Sequence, residues 1–188
     1  MARKTLESDV ELLEQFGRPF GNLTPSKEKK YSHAIGSFLM AFSYLETALD
    51  HLIISSISDR SDEPGYRIIK YLRFRDKTNL ANDEYLQLIS FIRDKRRKRG
   101  YNSKLNKTKK SLEELSEFRN KLAHANWESL TEKGFVRVGT FEDKEGGGVQ
   151  FKTLKMTPGV INRFTNEVIK TANNIDEWFD NPSPLEFI

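Results

Sequence analysis

Cysteine is absent from all 188 residues of the sequence. Disulfide bonds, cysteine-rich zinc sites and catalysis by a cysteine nucleophile are therefore excluded. The chain holds only three histidines, and none stands in the His-x₃-His or HExxH spacing of zinc sites, so we expect no metal centre. We also expect no cofactor, because Gly146–Gly148 precede a strand pattern rather than the helix that a phosphate-binding loop requires.

Long apolar runs are missing as well. The most apolar stretch, residues 35–57, is interrupted by Glu46, Asp50 and His51, whereas a membrane span needs about 20 mostly apolar residues. The first nine residues lack the apolar core of a signal peptide. The sequence therefore predicts a cytoplasmic protein that does not enter a membrane.

Positive charge is concentrated in one segment. The formal net charge is +4, yet ten Lys or Arg residues stand against a single Asp between Arg93 and Lys110, so the rest of the chain is acidic on balance. Such a segment attracts the phosphates of RNA or DNA, although it is equally typical of a solvated helix end and loop. The candidate RNA-binding residues are Arg93, Lys95, Arg96, Arg97, Lys98, Arg99, Lys104 and Lys107.

Helical spacing of apolar residues dominates the chain and predicts a mainly α fold. We divide it into a partly helical N-terminal appendage (1–25), a helical domain (26–180) and a tail (181–188). The expected helices are a short one within 5–16, a long one after Pro25, a short one over 66–74, one over 83–98 ended by Gly100, one over 104–126, and a last one from Pro158. Residues 135–141 and 149–154 alternate as strands do. The sequence thus predicts a bundle of four to five helices with a small β-hairpin, about 134–156, inserted before the C-terminal helix.

Two charged residues stand in apolar helical rows. Glu46 continues the row Leu39–Phe42–Leu49, and Arg119 lies between Leu115 and Leu122 at the same three- and four-residue steps. A buried unpaired charge is costly, so we expect Glu46 and Arg119 to lie close together. The alternative is that each side chain lies at the edge of its row and reaches solvent.

The sharpest functional signal is the segment Arg119-Asn120-Lys121-Leu122-Ala123-His124 at the end of a predicted helix. Asn120 and His124 share a helical face, whereas Arg119 and His124 are about 140° apart on an ideal helix. Histidine titrates near neutral pH and can transfer protons, and arginine can stabilise an anionic transition state. A histidine near a helix C-terminus also often serves only as a cap.

Residues 118–127, Phe-Arg-Asn-Lys-Leu-Ala-His-Ala-Asn-Trp, resemble the signature of the HEPN-domain superfamily, of the Arg-x₄–₆-His type found in HEPN ribonucleases and toxins. In that family the motif lies on a late helix of an all-α bundle, often with a polar residue after the Arg. Glu46 is similar to an acidic position that some members place near the motif. The resemblance covers roughly residues 26–180.

The resemblance implies a metal-independent endoribonuclease with a composite site across a homodimer, in a toxin or anti-phage defence role. The substrate would be RNA, and an antitoxin or a second defence subunit would be a further partner. His124 would act as general acid or base, Arg119 would clamp the transition state, and Asn120 would orient His124 or bind a phosphate oxygen. Glu46 would hold Arg119, and the Arg93–Lys110 segment would gather the RNA.

The main alternative is a catalytically inactive HEPN-like module that binds RNA or a protein partner. Accessibility of His124 distinguishes the two, because an imidazole sealed by Trp127 would favour the inactive module. A DNA-binding regulator ranks last, since the basic run is expected at a helix end and loop rather than on a recognition helix.

Overall fold

The computed structural model describes residue 20 and residues 23–57, 61–143 and 148–180, without the side chains of 142, 143, 148 and 178–180. The short helix expected within 5–16, the tail and most of the glycine run at the hairpin tip lie outside the described residues. None of the helices in the described part combines the length and apolarity needed to cross a membrane.

The described chain is mainly helical, with one two-stranded antiparallel hairpin before the final helix, as the sequence predicts. Five α-helices and two strands follow in the order α1 (Pro25–Ile57), α2 (Glu63–Ile69), α3 (Phe74–Ser90), α4 (Lys95–Ala123), β1 (Phe135–Asp143), β2 (Gly148–Lys155) and α5 (Pro158–Asp180). A single 3-10 turn, Trp127–Ser129, lies between α4 and β1.

The helix boundaries predicted around Gly100 are wrong. Instead of one helix over 83–98 and another from 104, α3 ends at Ser90 and α4 begins at Lys95. Asp94 caps α4, because its carboxylate accepts a hydrogen bond from the Arg97 N–H at 2.7 Å. Gly100 lies inside the helix, where glycine is tolerated at a cost of about 1 kcal/mol. The basic run therefore occupies the first turns of the helix that ends in the Arg119–His124 segment.

The short helix predicted over 66–74 also lies earlier, because it begins at Glu63 with Pro64 in its first turn. Gly65 allows α2 to approach α1 closely. A Cβ at this position would lie 2.9 Å from the Ile54 Cα, so any larger residue would push the two helices apart.

The chain forms two compact units, and the division falls within α1, α4 and α5. The first, here called the helical unit, consists of Gly36–Asn120 and the chain from Asn162. Its core is aromatic: the Phe118 ring stacks on Phe164 at 3.7 Å and meets the edge of Phe38 at 5.2 Å. These contacts join α4 to α5 and α1.

An ion pair joins α3 to α1 within the helical unit. The Lys77 ammonium lies 2.6 and 2.9 Å from the two carboxylate oxygens of Asp50. Both side chains are largely buried, so each one offsets the cost of desolvating the other.

The second unit, here called the hairpin unit, consists of the chain up to Ile35 together with Lys121–Ile161. In its hairpin, Phe135 pairs with Lys155 and Asp143 with Gly148, with an irregularity between Arg137 and Gly139. Its fully buried side chains include Leu122, Val136, Met156 and Ile161.

Gly134 leads into β1 with a φ of +82°, a conformation that favours glycine. A Cβ there would lie only 2.5 Å from the Thr157 Cγ2. The backbone is held by the Met156 N–H, which donates to the Gly134 carbonyl at 2.8 Å. Glycine is therefore required at this position.

Candidate functional site at the end of helix α4

The three residues of the motif, Arg119, Asn120 and His124, lie at the C-terminal end of α4 and are all exposed. Arg119 and Asn120 are the last α4 residues of the helical unit, whereas His124 directly follows the helix and belongs to the hairpin unit. Each is therefore described with the neighbours of its own unit.

Arg119 lies on the solvent edge of the apolar row rather than within it. Its guanidinium carbon is 6.0 Å from the centre of the Phe42 ring, and its Nη1 donates a hydrogen bond to the Asn120 Oδ1 at 3.3 Å. No carboxylate of the described residues forms an ion pair with it. Most donors of this guanidinium thus remain available for an anion.

Glu46 is half-buried in α1, one turn after Phe42. The buried face of α1 runs through Phe38 and Leu45, whereas Leu39 of the predicted row is 44% exposed. This rotation moves Glu46 to the margin of the core. Within the described part of the chain no ion pair joins Glu46 to Arg119, and the expected role of Glu46 in holding Arg119 stays a prediction.

His124 is exposed and is not covered by Trp127. The Trp127 ring packs against Phe20 and Tyr31, with ring centres at 5.8 and 6.1 Å. Its indole N–H donates to the Leu122 carbonyl at 3.3 Å. Trp127 therefore satisfies a carbonyl of the last turn of α4, which is the capping role that a histidine at this position often has.

The first turns of α4 carry a strong positive charge that no acidic residue within these turns offsets. Five consecutive cations occupy residues 95–99, and the first turn of the helix contains no acidic residue. Cations are unfavourable at a helix N-terminus, and Lys95 and Arg99 also repel each other as an i, i+4 pair. A bound polyanion would relieve both effects.

The predicted RNA-binding residues differ in how they are placed. Lys98 and Lys104 are half-buried, and the Lys98 ammonium donates to the Ser90 carbonyl at 3.0 Å, at the end of α3. Lys98 is thus engaged in joining two helices. The other six are exposed: Arg93, Lys95, Arg96, Arg97, Arg99 and Lys107.

A wide-open surface along one face of α4, here called the basic groove, is lined by side chains of that helix alone. Arg99, Lys107 and Lys110 provide its positive charge. The sequence analysis missed its polar members, Asn102, Ser103 and Asn106, although their three- and four-residue steps from Arg99 and Lys110 place them on one helical face. Alternating cations and hydrogen-bonding side chains suit a sugar–phosphate backbone.

Neither a metal-binding cluster nor a known relative adds to this description. In the part of the chain that the structure describes, no three His, Asp or Glu side chains are grouped so as to hold a metal ion. Comparison with protein-family models, with curated proteins and with solved structures finds no significant match to this chain.

Proposed function

We propose that this protein is a metal-independent endoribonuclease of the HEPN type, in which His124 transfers protons and Arg119 stabilises the anionic transition state. The observation that carries the proposal is the exposure of Arg119, Asn120 and His124 at the end of a helix that begins with a strongly basic surface. A histidine with only a structural role would be expected to be buried or hydrogen-bonded, and no hydrogen bond to the His124 imidazole is formed within the described part of the chain.

The reaction uses the 2′-hydroxyl of RNA as nucleophile. The hydroxyl loses its proton to a general base, its oxygen bonds to the adjacent phosphorus, and the bond from phosphorus to the 5′-oxygen breaks. The leaving 5′-oxygen takes up a proton, which gives a 2′,3′-cyclic phosphate and a 5′-hydroxyl. The imidazole of His124 suits one or both proton transfers, a contribution of about 10²- to 10⁴-fold in rate.

Arg119 suits the charge that develops on the phosphorane oxygens. Its guanidinium is planar, permanently charged and lacks a carboxylate partner in the described part of the chain. The Asn120 Oδ1 accepts a hydrogen bond from one of the guanidinium N–H groups and so restricts the orientation of the guanidinium. Preorganised donors of this kind stabilise a transition state without reorganising during the reaction.

The basic surface of α4 supplies affinity for RNA rather than chemistry. Contacts to phosphates carry no sequence information but hold the strand in register. The cellular role we propose follows the family that the motif resembles: a homodimeric toxin or anti-phage effector in the cytoplasm, restrained or activated by an antitoxin or a second defence subunit.

The proposal is tested by RNA cleavage with matched histidine variants. Wild-type protein, His124→Ala and His33→Ala are incubated with labelled single-stranded RNA and tRNA in EDTA. His33 is also exposed and lies in the hairpin unit, so its loss controls for removing a surface imidazole. We expect His124→Ala to lose at least about 100-fold in rate and His33→Ala to match wild type.

Retained activity of a folded His124→Ala variant would contradict the assignment of this residue. The second candidate function is an inactive module that binds RNA, which the basic groove supports equally well. RNA binding by all three proteins without cleavage by any of them would favour that module.

A further inference from the structure

A second groove, here called the α3–α4 groove, lies within the helical unit and has a volume of about 310 Å³. This volume falls at the lower end of the range for small-molecule sites, about 300–1,000 Å³. Both helices contribute polar and apolar side chains to its wall, among them Phe74, Arg75 and Asn79 from α3, and Leu112, Glu113, Glu117 and Asn120 from α4.

The groove adjoins the arginine of the motif on two sides. Asn120 lines the groove and accepts a hydrogen bond from Arg119 at 3.3 Å. Phe74, which also lines the groove, packs on Phe42 with ring centres 4.9 Å apart. The Arg119 guanidinium lies 6.0 Å from that same Phe42 ring. A ligand in the groove would therefore lie one side chain away from Arg119.

The lining combines an apolar floor with a polar rim. Leu112 is buried and Phe74 is half-buried. Together they give a flat aromatic ring of a ligand an apolar surface to pack on. Buried Thr78 adds no free donor, because its hydroxyl donates to the Phe74 carbonyl at 2.9 Å. The amides of Asn79 and Asn120 are exposed on the rim.

Two carboxylates line the groove, Glu113 and Glu117. Glu117 already interacts with another residue, so Glu113 is the residue that selects the ligand. Its carboxylate is exposed on the rim and forms no ion pair with any described residue. An ionised carboxylate only accepts hydrogen bonds, and its two oxygens match two adjacent donors. Among the RNA bases only guanine presents such a pair, N1–H beside N2–H₂, on its Watson–Crick edge, the edge that proteins read in unpaired RNA.

We propose that the α3–α4 groove binds an unpaired guanine base next to the cleaved phosphate, an inference that rests on the proposed ribonuclease function. The Glu113 carboxylate accepts the N1–H and N2–H₂ groups, and the amides of Asn79 and Asn120 serve the O6 and N7 acceptors. Arg75 neutralises a neighbouring phosphate. The groove thus gives the enzyme a preference for cleavage beside guanosine.

Binding of nucleotides tests the groove independently of cleavage. Guanosine, inosine and adenosine 5′-monophosphates are titrated into wild type, Glu113→Gln and Glu114→Gln, with binding followed by calorimetry. Inosine lacks only the N2 amino group. Glu114 is the matched control, because it is exposed, carries the same charge, pairs with Lys110 at 3.8 Å and does not line the groove.

We expect wild type and Glu114→Gln to bind the guanosine nucleotide at least about fivefold more tightly than the inosine nucleotide. Glu113→Gln should bind the two alike, since glutamine replaces one acceptor by a donor. Equal affinity of wild type for both nucleotides, or an unchanged preference in Glu113→Gln, would overturn the proposal.

Cleavage of an RNA with a single guanosine separates the two hypotheses. Wild type should cut beside guanosine and cut at least about fivefold more slowly when inosine replaces it. Cleavage without any preference for guanosine would refute the groove assignment and leave the ribonuclease intact. Glu113-dependent binding of the guanosine nucleotide without any cleavage would support the groove and contradict the ribonuclease.

Discussion

Neutralising the basic groove should change the salt dependence of RNA binding by a calculable amount. The variant replaces Arg99, Lys107 and Lys110 by Gln in a His124→Ala background, so that the RNA stays intact. Each phosphate contact on a single strand contributes about −0.7 to the slope of log K against log salt, so losing three contacts flattens the slope by about 2. The same arithmetic gives a loss of roughly 100-fold in affinity at 0.1 M salt, shrinking towards 1 M.

The assay is fluorescence anisotropy with a labelled single-stranded RNA over a series of salt concentrations. The matched control replaces Lys27, Lys29 and Lys30 by Gln, which removes the same charge from exposed positions on α1. The slope of log K against log salt for this control should differ from that of the parent by no more than about 0.7, the contribution of one phosphate contact. Equal losses in both triple variants would refute the reasoning, because binding would then follow net charge and not the groove.

Three substitutions test the packing that positions these surfaces, each by urea unfolding. Gly134→Ala should lower the free energy of unfolding by about 2 kcal/mol or more, because Gly134 has a positive φ and the Thr157 methyl group lies close to it. Adding Thr157→Ser removes that methyl group and should recover part of the loss. No recovery would contradict the clash. Phe118→Ala should cost about 3–5 kcal/mol, since its ring is buried between two others; a cost below about 1 kcal/mol would show that this cluster is not the core. Gly100→Ala should stabilise by about 0.5–1 kcal/mol, because no atom lies within 4 Å of the added methyl, and a destabilised variant would contradict the helical assignment.

The sequence predicts the helices and the hairpin because their apolar residues repeat with the period of one face. Phe38, Phe42, Leu45 and Leu49 are all buried. The apolar row of the second half of α4 is buried as well: Leu112, Leu115, Phe118 and Leu122. The hairpin follows from the alternation of apolar and polar residues on both sides of the glycine run. These patterns are local, so one chain is sufficient to read them.

The start of α4 shows where local signals conflict. Gly100 is typical of the residue that ends a helix, whereas Asp94 is typical of the residue that caps the start of one. In the structure Asp94 sets the boundary, because its carboxylate caps α4. Glu46 illustrates a second conflict, because two overlapping rows share Phe42 and Leu49. The row through Phe38 and Leu45 contains only apolar residues and is the buried one.

The motif alone supplies the candidate residues Arg119, Asn120 and His124, which stay a prediction, and it says nothing about their surroundings. Asn79 lines the same α3–α4 groove as Glu113 and Asn120, and this placement of residues so far apart in sequence depends on how two helices pack. No local periodicity encodes that packing.

The chemical nature of the cleaved ends tests the central claim most directly. Wild-type protein is incubated with RNA in EDTA, and the fragments are analysed by mass spectrometry for their terminal groups. Attack by the 2′-hydroxyl predicts a 2′,3′-cyclic phosphate on one fragment and a 5′-hydroxyl on the other, and no cleavage where the 2′-hydroxyl at the cut site is replaced by hydrogen. Fragments with a 3′-hydroxyl and a 5′-phosphate would show that water is the nucleophile and would contradict the mechanism assigned to His124 and Arg119.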